Sequence, residues 1–155
     1  MVEQRAQDIL AACEGLPVTE YFAGETIIEE GSVVDLLYLL IEGQVEVVKG
    51  DTIVSRVSEP CSVFGEISAL LERPTTARVV AASNARFYCL KAAGNTLVRH
   101  PVLAIHTAQV LALRLANATE LLAQVKQSSG GDGDDKQFGI VDQVMDSLFN
   151  QPDRW

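Results

Sequence analysis

The sequence predicts a mainly β fold with flanking helices: a jelly-roll-like β-roll, a short helix set between two of its strands, and a long C-terminal helix. Three observations predict it. Short runs rich in Val, Ile, Leu and Tyr recur from Val18 to Lys91. Turn residues separate them at the roughly 8–12-residue spacing of a sandwich or barrel. One segment, Gly65 to Glu72, breaks that rhythm with helix formers at three- and four-residue spacing,. From Pro101 onward, apolar residues recur with helical period over seven turns,.

Composition allows one folded domain. The chain has 155 residues, 48% of them hydrophobic and 21% charged. That supplies one core and leaves no reason to expect wholesale disorder. The net charge is −9, from 12 basic and 21 acidic residues. Nucleic-acid affinity comes largely from cationic neutralisation of phosphates, so neither a nucleic-acid footprint nor an anionic membrane surface is expected as a partner.

The elements follow in order. From Glu3 to Leu16, Ala6, Ile9, Leu10 and Cys13 share one face of a short amphipathic helix, ended by Gly15 and Pro17,. The β region runs from Pro17. Its runs are Tyr21-Phe22, Thr26 to Ile28, Leu36 to Ile41, Gln44 to Val48, Thr52 to Val57, Ala77 to Ala82 and Ala85 to Leu90. Gly24, Gly31, Gly43 and Gly50 mark turns between runs, where a positive φ is needed. Pro74 stops the helix of Gly65 to Glu72.

Pro101 fits the first position of the long helix, which reaches Gln127,. Its apolar residues exceed one face, so it is expected to pack on the roll and also to form a homodimer seam from Pro101 to Gln127. Residues 128–137 read as a flexible acidic linker. Asp132, Asp134 and Asp135 lack the order and spacing of a calcium loop. The segment 138–155 carries a short amphipathic helix, with Phe138 to Phe149 a candidate surface for a protein partner.

Catalytic signatures are missing. His100 and His106 are six residues apart, not the four that place a metal pair on one helix face. No Gly-x-Ser-x-Gly, P-loop or Cys-x-x-Cys occurs,. The expectation is a non-enzyme with no metal and no cofactor. Cys13, Cys61 and Cys89 are odd in number and unpaired in spacing, which suits reduced, buried thiols in a cytoplasmic protein. Met1 to Arg5 begins no apolar signal core. The stretch Pro101 to Val125 holds His106, Arg114 and Glu120, so no membrane span is expected,.

The stretch Phe64-Gly65-Glu66-Ile67-Ser68-Ala69-Leu70-Leu71-Glu72-Arg73-Pro74-Thr75-Thr76-Ala77-Arg78-Val79 resembles the phosphate-binding cassette of cyclic nucleotide-binding domains. Such domains occur in catabolite activator-type regulators, in regulatory subunits of cAMP-dependent kinase and in cyclic nucleotide-gated channels. The segments Phe22 to Gly31 and Leu37 to Val47 resemble that family's first strands. The resemblance implies a sensor that takes cAMP, cGMP or a related ligand and signals through the C-terminal helix. It implies Phe64, Gly65, Glu66, Ile67, Ser68, Thr75, Thr76 and Ala77 as the binding residues. Glu66 then accepts from the ribose 2′-OH; read alone, it is a carboxylate satisfying backbone N–H groups at a helix start.

The sequence departs from the family after Pro74, where Thr75 replaces the arginine that clamps the phosphate. A charge-assisted bond contributes on the order of 1.5–3 kcal/mol. Its loss predicts binding about 10- to 1000-fold weaker. Neither Arg78, on the outer side of its strand, nor Arg73, held extended before Pro74, is placed to replace it. The alternative is therefore a ligand-free relative acting as a dimerisation or docking module. Many relatives carry a helix-turn-helix behind the long helix, but the linker and final segment here are too short for one.

Overall fold

The computed structural model describes residues 2–91, 93–128 and 144. The elements run α1 (Val2–Ala12), β1 (Val18–Tyr21), β2 (Thr26–Ile28), β3 (Leu36–Glu42), β4 (Val45–Lys49), β5 (Thr52–Val57), β6 (Val63–Phe64), α2 (Glu66–Leu71), β7 (Arg78–Ala81), β8 (Ala85–Lys91), α3 (Ala93–Arg99) and α4 (Pro101–Ser128). The strands form two antiparallel four-stranded sheets, ordered β1-β8-β3-β6 and β2-β7-β4-β5. This is the expected β-roll with flanking helices.

The core lies in two layers because one sheet is covered on both faces. Strand β3 reads Leu-Leu-Tyr-Leu-Leu-Ile-Glu, a run with no polar alternation until its end. A continuous apolar run is what a doubly buried strand requires. Tyr38 and Leu40 face the roll interior with Ile28, Val45, Phe64, Val79, Ala81 and Phe87. Leu37 and Leu39 face the other way, with Val63 and Leu90, and meet Ile9 of α1, Cys13 just after it, Leu97 of α3 and Leu103 of α4. Tyr21, Tyr38 and Phe64 all set their rings edge-on against Phe87, with centroids 5.8–6.3 Å apart.

Several boundaries differ from the sequence reading. The first strand is Val18–Tyr21, paired with β8, and Phe22 lies outside it, 66% exposed. The two-residue β6 and the separate helix α3 were not expected. His100, with an amide bonded to the Leu97 carbonyl, separates α3 from α4. A residue before proline disfavours the helical region, which explains the break. Helix α4 starts at Pro101 as expected and ends one residue later, at Ser128. Ser128, expected to open the linker of residues 128–137, is instead the last residue of α4; the rest of that linker, and the segment 138–155 apart from Val144, lie outside the described residues.

The chain divides into two compact units, Met1–Val110 and Leu111–Trp155. The roll, the three other helices and the first part of α4 belong to the former. No helix among the described residues is long and apolar enough to cross a membrane.

Candidate functional site

The segment from β6 to β7 leaves the sheet and returns to it. Strand β6 pairs with β3, Tyr38 opposite Phe64 and Leu39 opposite Val63. Gly65 then takes φ +80°, and a Cβ there would lie 2.5 Å from the Leu36 carbonyl oxygen. The position therefore requires glycine on two grounds, the left-handed backbone and the close approach. Its carbonyl accepts from the Ala69 amide at 3.0 Å, which starts α2.

Helix α2 buries Glu66 and Ser68 and leaves Ile67, Leu70 and Leu71 exposed. The Ser68 Oγ accepts from the Val34 amide at 2.8 Å, tying the helix to the loop before β3. Glu72 ends the helix at φ +54°, its amide donating to the Ser68 carbonyl. Arg73 and Pro74 are exposed. A cleft of about 370 Å³ opens beside α2, lined by Val33, Asp35, Ser68, Glu72 and Asn95 among others. Gly65, Thr75 and Thr76 do not line it.

Thr75 is buried, and its polar groups are spent inside the protein. Its hydroxyl donates to the Glu29 carbonyl and accepts from the Ser32 amide at 3.2 Å. Its amide donates to the Ser32 carbonyl at 2.8 Å, and its carbonyl accepts from the Gly31 amide at 2.9 Å. Thr75 thus clasps the turn at residues 29–32 to the segment entering β7. Thr76 beside it is exposed and Ala77 half-buried.

A second tie crosses the same place. Lys49, at the end of β4, donates from Nζ to Glu30 Oε1 at 2.6 Å and to the Thr76 carbonyl at 2.7 Å. The other Glu30 oxygen accepts from the Gly50 amide at 2.9 Å. The bond from Lys49, and then that from Gly50, hold the Glu30 carboxyl below the usual carboxylate range. The sequence reading passed over Lys49 and Glu30. Alternation gives no signal for Lys49, because Val48 as well as Val45 is buried and the β4–β5 pairing shifts register between Val47 and Val48.

The structure brings the expected binding residues into one continuous segment, with two qualifications. Phe64 is a core residue inside the roll, and Ser68 is a buried tie to Val34. Arg78 alternates with the buried Val79 and Ala81 along β7, as expected for an outer position,. His106 does not join the site: its Nε2–H donates to the Cys61 carbonyl at 2.7 Å, just before β6. All three cysteines are buried, and burial pushes the Cys13 and Cys61 thiols up to about 11. Among the described residues, no cluster of three or more His, Cys, Asp or Glu side chains could hold a metal.

The family model described as "Cyclic nucleotide-binding domain" matches residues 18–95. Among solved structures, the chain is similar to the catabolite activator protein of Thermus thermophilus, with 25% identity and TM-score 0.65 over 77% of this chain. It spans 59% of the length of that relative. It is also similar to the regulatory domain of a Toxoplasma gondii protein kinase A crystallised with cAMP, at 19% identity and TM-score 0.53, covering 69% of this chain and 50% of that one. A third is the regulatory subunit of a cAMP-independent protein kinase A from Trypanosoma brucei, at 20% identity and TM-score 0.54, covering 70% and 46%.

Proposed function

This chain belongs to the cyclic nucleotide-binding domain family, and from that premise we propose that it is a regulatory sensor, not an enzyme, which takes a cyclic nucleotide such as cAMP or cGMP against the segment from Gly65 to Ala77. One observation carries the reading. Gly65 combines φ +80° with a backbone approach that leaves no room for a Cβ, at the start of the segment that leaves the sheet between β6 and β7. Glu66, in this reading, accepts from the ribose, and the exposed Thr76 backbone faces the phosphate. The buried thiols suit a reducing cytoplasm,.

Signalling, in the same reading, runs from that segment to α4. Strand β6 leads directly into Gly65, and His106 of α4 bonds the Cys61 carbonyl two residues before β6. A ligand that prefers one setting of the segment shifts the population of one packing of α4 over another.

Isothermal titration of the purified chain with cAMP and cGMP tests the proposal. Saturable heat with a dissociation constant between micromolar and millimolar is expected, about 10- to 1000-fold weaker than an arginine-clamped site. No heat at millimolar ligand sinks the sensor reading.

A second reading is favoured by Thr75. Its hydroxyl, amide and carbonyl are all engaged with residues 29–32, so it has nothing to offer a phosphate without breaking the clasp. The chain would then be a ligand-free member acting through α4, whose Val102, Ile105, Leu113, Leu115 and Leu121 are exposed.

A further inference from the structure

We infer that Lys49 is the phosphate-recognising cation of this chain, held in reserve by Glu30 and released to an incoming cyclic nucleotide. The assignment rests on the sensor reading above and names the residue that supplies the charge Thr75 cannot. In a chain of net charge −9, a local positive group favours the capture of an anionic ligand,.

Position singles out Lys49. The β4–β7 ladder runs without a shift from Val45 opposite Ala81 to Val48 opposite Arg78. Val45, Val47, Val79 and Ala81 all belong to the interior cluster. The β4–β5 pairing shifts register between Val47 and Val48, so Lys49 is placed by its contacts at the exposed end of β4, whereas Arg78 alternates with the buried Val79 and Ala81 along β7,. Lys49 Nζ already sits 2.7 Å from the Thr76 carbonyl oxygen, within the segment proposed to receive the phosphate. Arg73, by contrast, is exposed beyond α2.

The present partner is replaceable. Glu30 holds the ammonium at 2.6 Å in an ion pair whose Lys49 side chain is 60% exposed and whose Glu30 side chain is 33% exposed. Exposed pairs contribute little stability, and lysine is a flexible point charge. A ligand phosphate offers the same ammonium an equal or stronger acceptor, so Lys49 can change partner by rotating its own side chain. Glu30 then acts as a competitor that weakens binding and as a guard against other anions.

Titration of wild type, Lys49→Met, Lys49→Arg and Glu30→Gln with cAMP and cGMP, each variant checked by thermal melting, tests this. Lys49→Met is expected to weaken binding about tenfold or more, and Lys49→Arg to retain most of it. Glu30→Gln is expected to tighten binding, because the competitor loses its charge. Binding by wild type with unchanged affinity in Lys49→Met overturns the assignment and leaves the sensor reading standing. Weaker binding in Glu30→Gln also overturns it, since the pair would then be scaffold. No binding by wild type removes both.

Discussion

At the scale of single residues, Gly65 and the cysteines make the sharpest statements. Gly65→Ala forces a Cβ into the Leu36 carbonyl at 2.5 Å and places alanine at φ +80°. Leu36 belongs to β3 and cannot move without disturbing it, so the variant is expected to lose about 2–4 kcal/mol in urea denaturation,. A loss under about 0.5 kcal/mol would show that the site relaxes freely. Cys13 and Cys61 have folded-state thiol values raised to about 11 by burial. A raised value means their stabilising contribution is full below the unfolded thiol value, near 8.5, and declines as pH climbs towards 11. Alkylation by iodoacetamide at pH 8 should be slow in the native chain and fast in urea. Rapid native labelling would contradict the burial.

At the scale of elements, the sheet containing β3 is the organising piece, since its two faces serve the two core layers. Leu39 is fully buried on the helix side, and Leu103 of α4 is nearly so. Leu39→Ala and Leu103→Ala are each expected to cost about 2–5 kcal/mol by denaturant melting. They differ in a second readout. Leu103→Ala should also raise hydrogen exchange in the first turns of α4, leaving β3 protected, because Leu103 anchors the helix rather than the sheet. Equal loss of protection in both elements would show that α4 and the roll open as one unit. The short elements explain what the sequence did not display. Strand β6 has two residues, too few for alternation, and exists because Tyr38 and Leu39 offer it a ladder. Helix α3 has only seven residues and runs up to the start of α4, with the break at His100 between them.

At the scale of the whole molecule, α4 poses the question of partners. It exposes Val102 at 56%, Ile105 at 60%, Leu113 at 62% and Leu121 at 62%. Each is a large apolar side chain left to solvent on one helix, which motivates the expectation of a homodimer,. Light scattering of the eluting protein is expected to read twice the monomer mass, shifting to the monomer with Ile105→Glu and Leu113→Glu together. A wild type that elutes as a monomer at high concentration would refute the homodimer.

The fold class, the place of the cassette-like segment and the start of α4 are legible in the amino-acid order alone. These are properties of local pattern: apolar period, turn residues and a proline whose φ is fixed. The same order also names Thr75 as the departure from the family. What Thr75 does instead emerges on folding, because its partners at residues 29–32 lie more than forty positions away in the chain. The same holds for Lys49, which meets Glu30 and Thr76 only once β4 is registered against β7. Periodicity reports which face a side chain takes; the groups that share that face are set by strand order and register, which no local pattern carries.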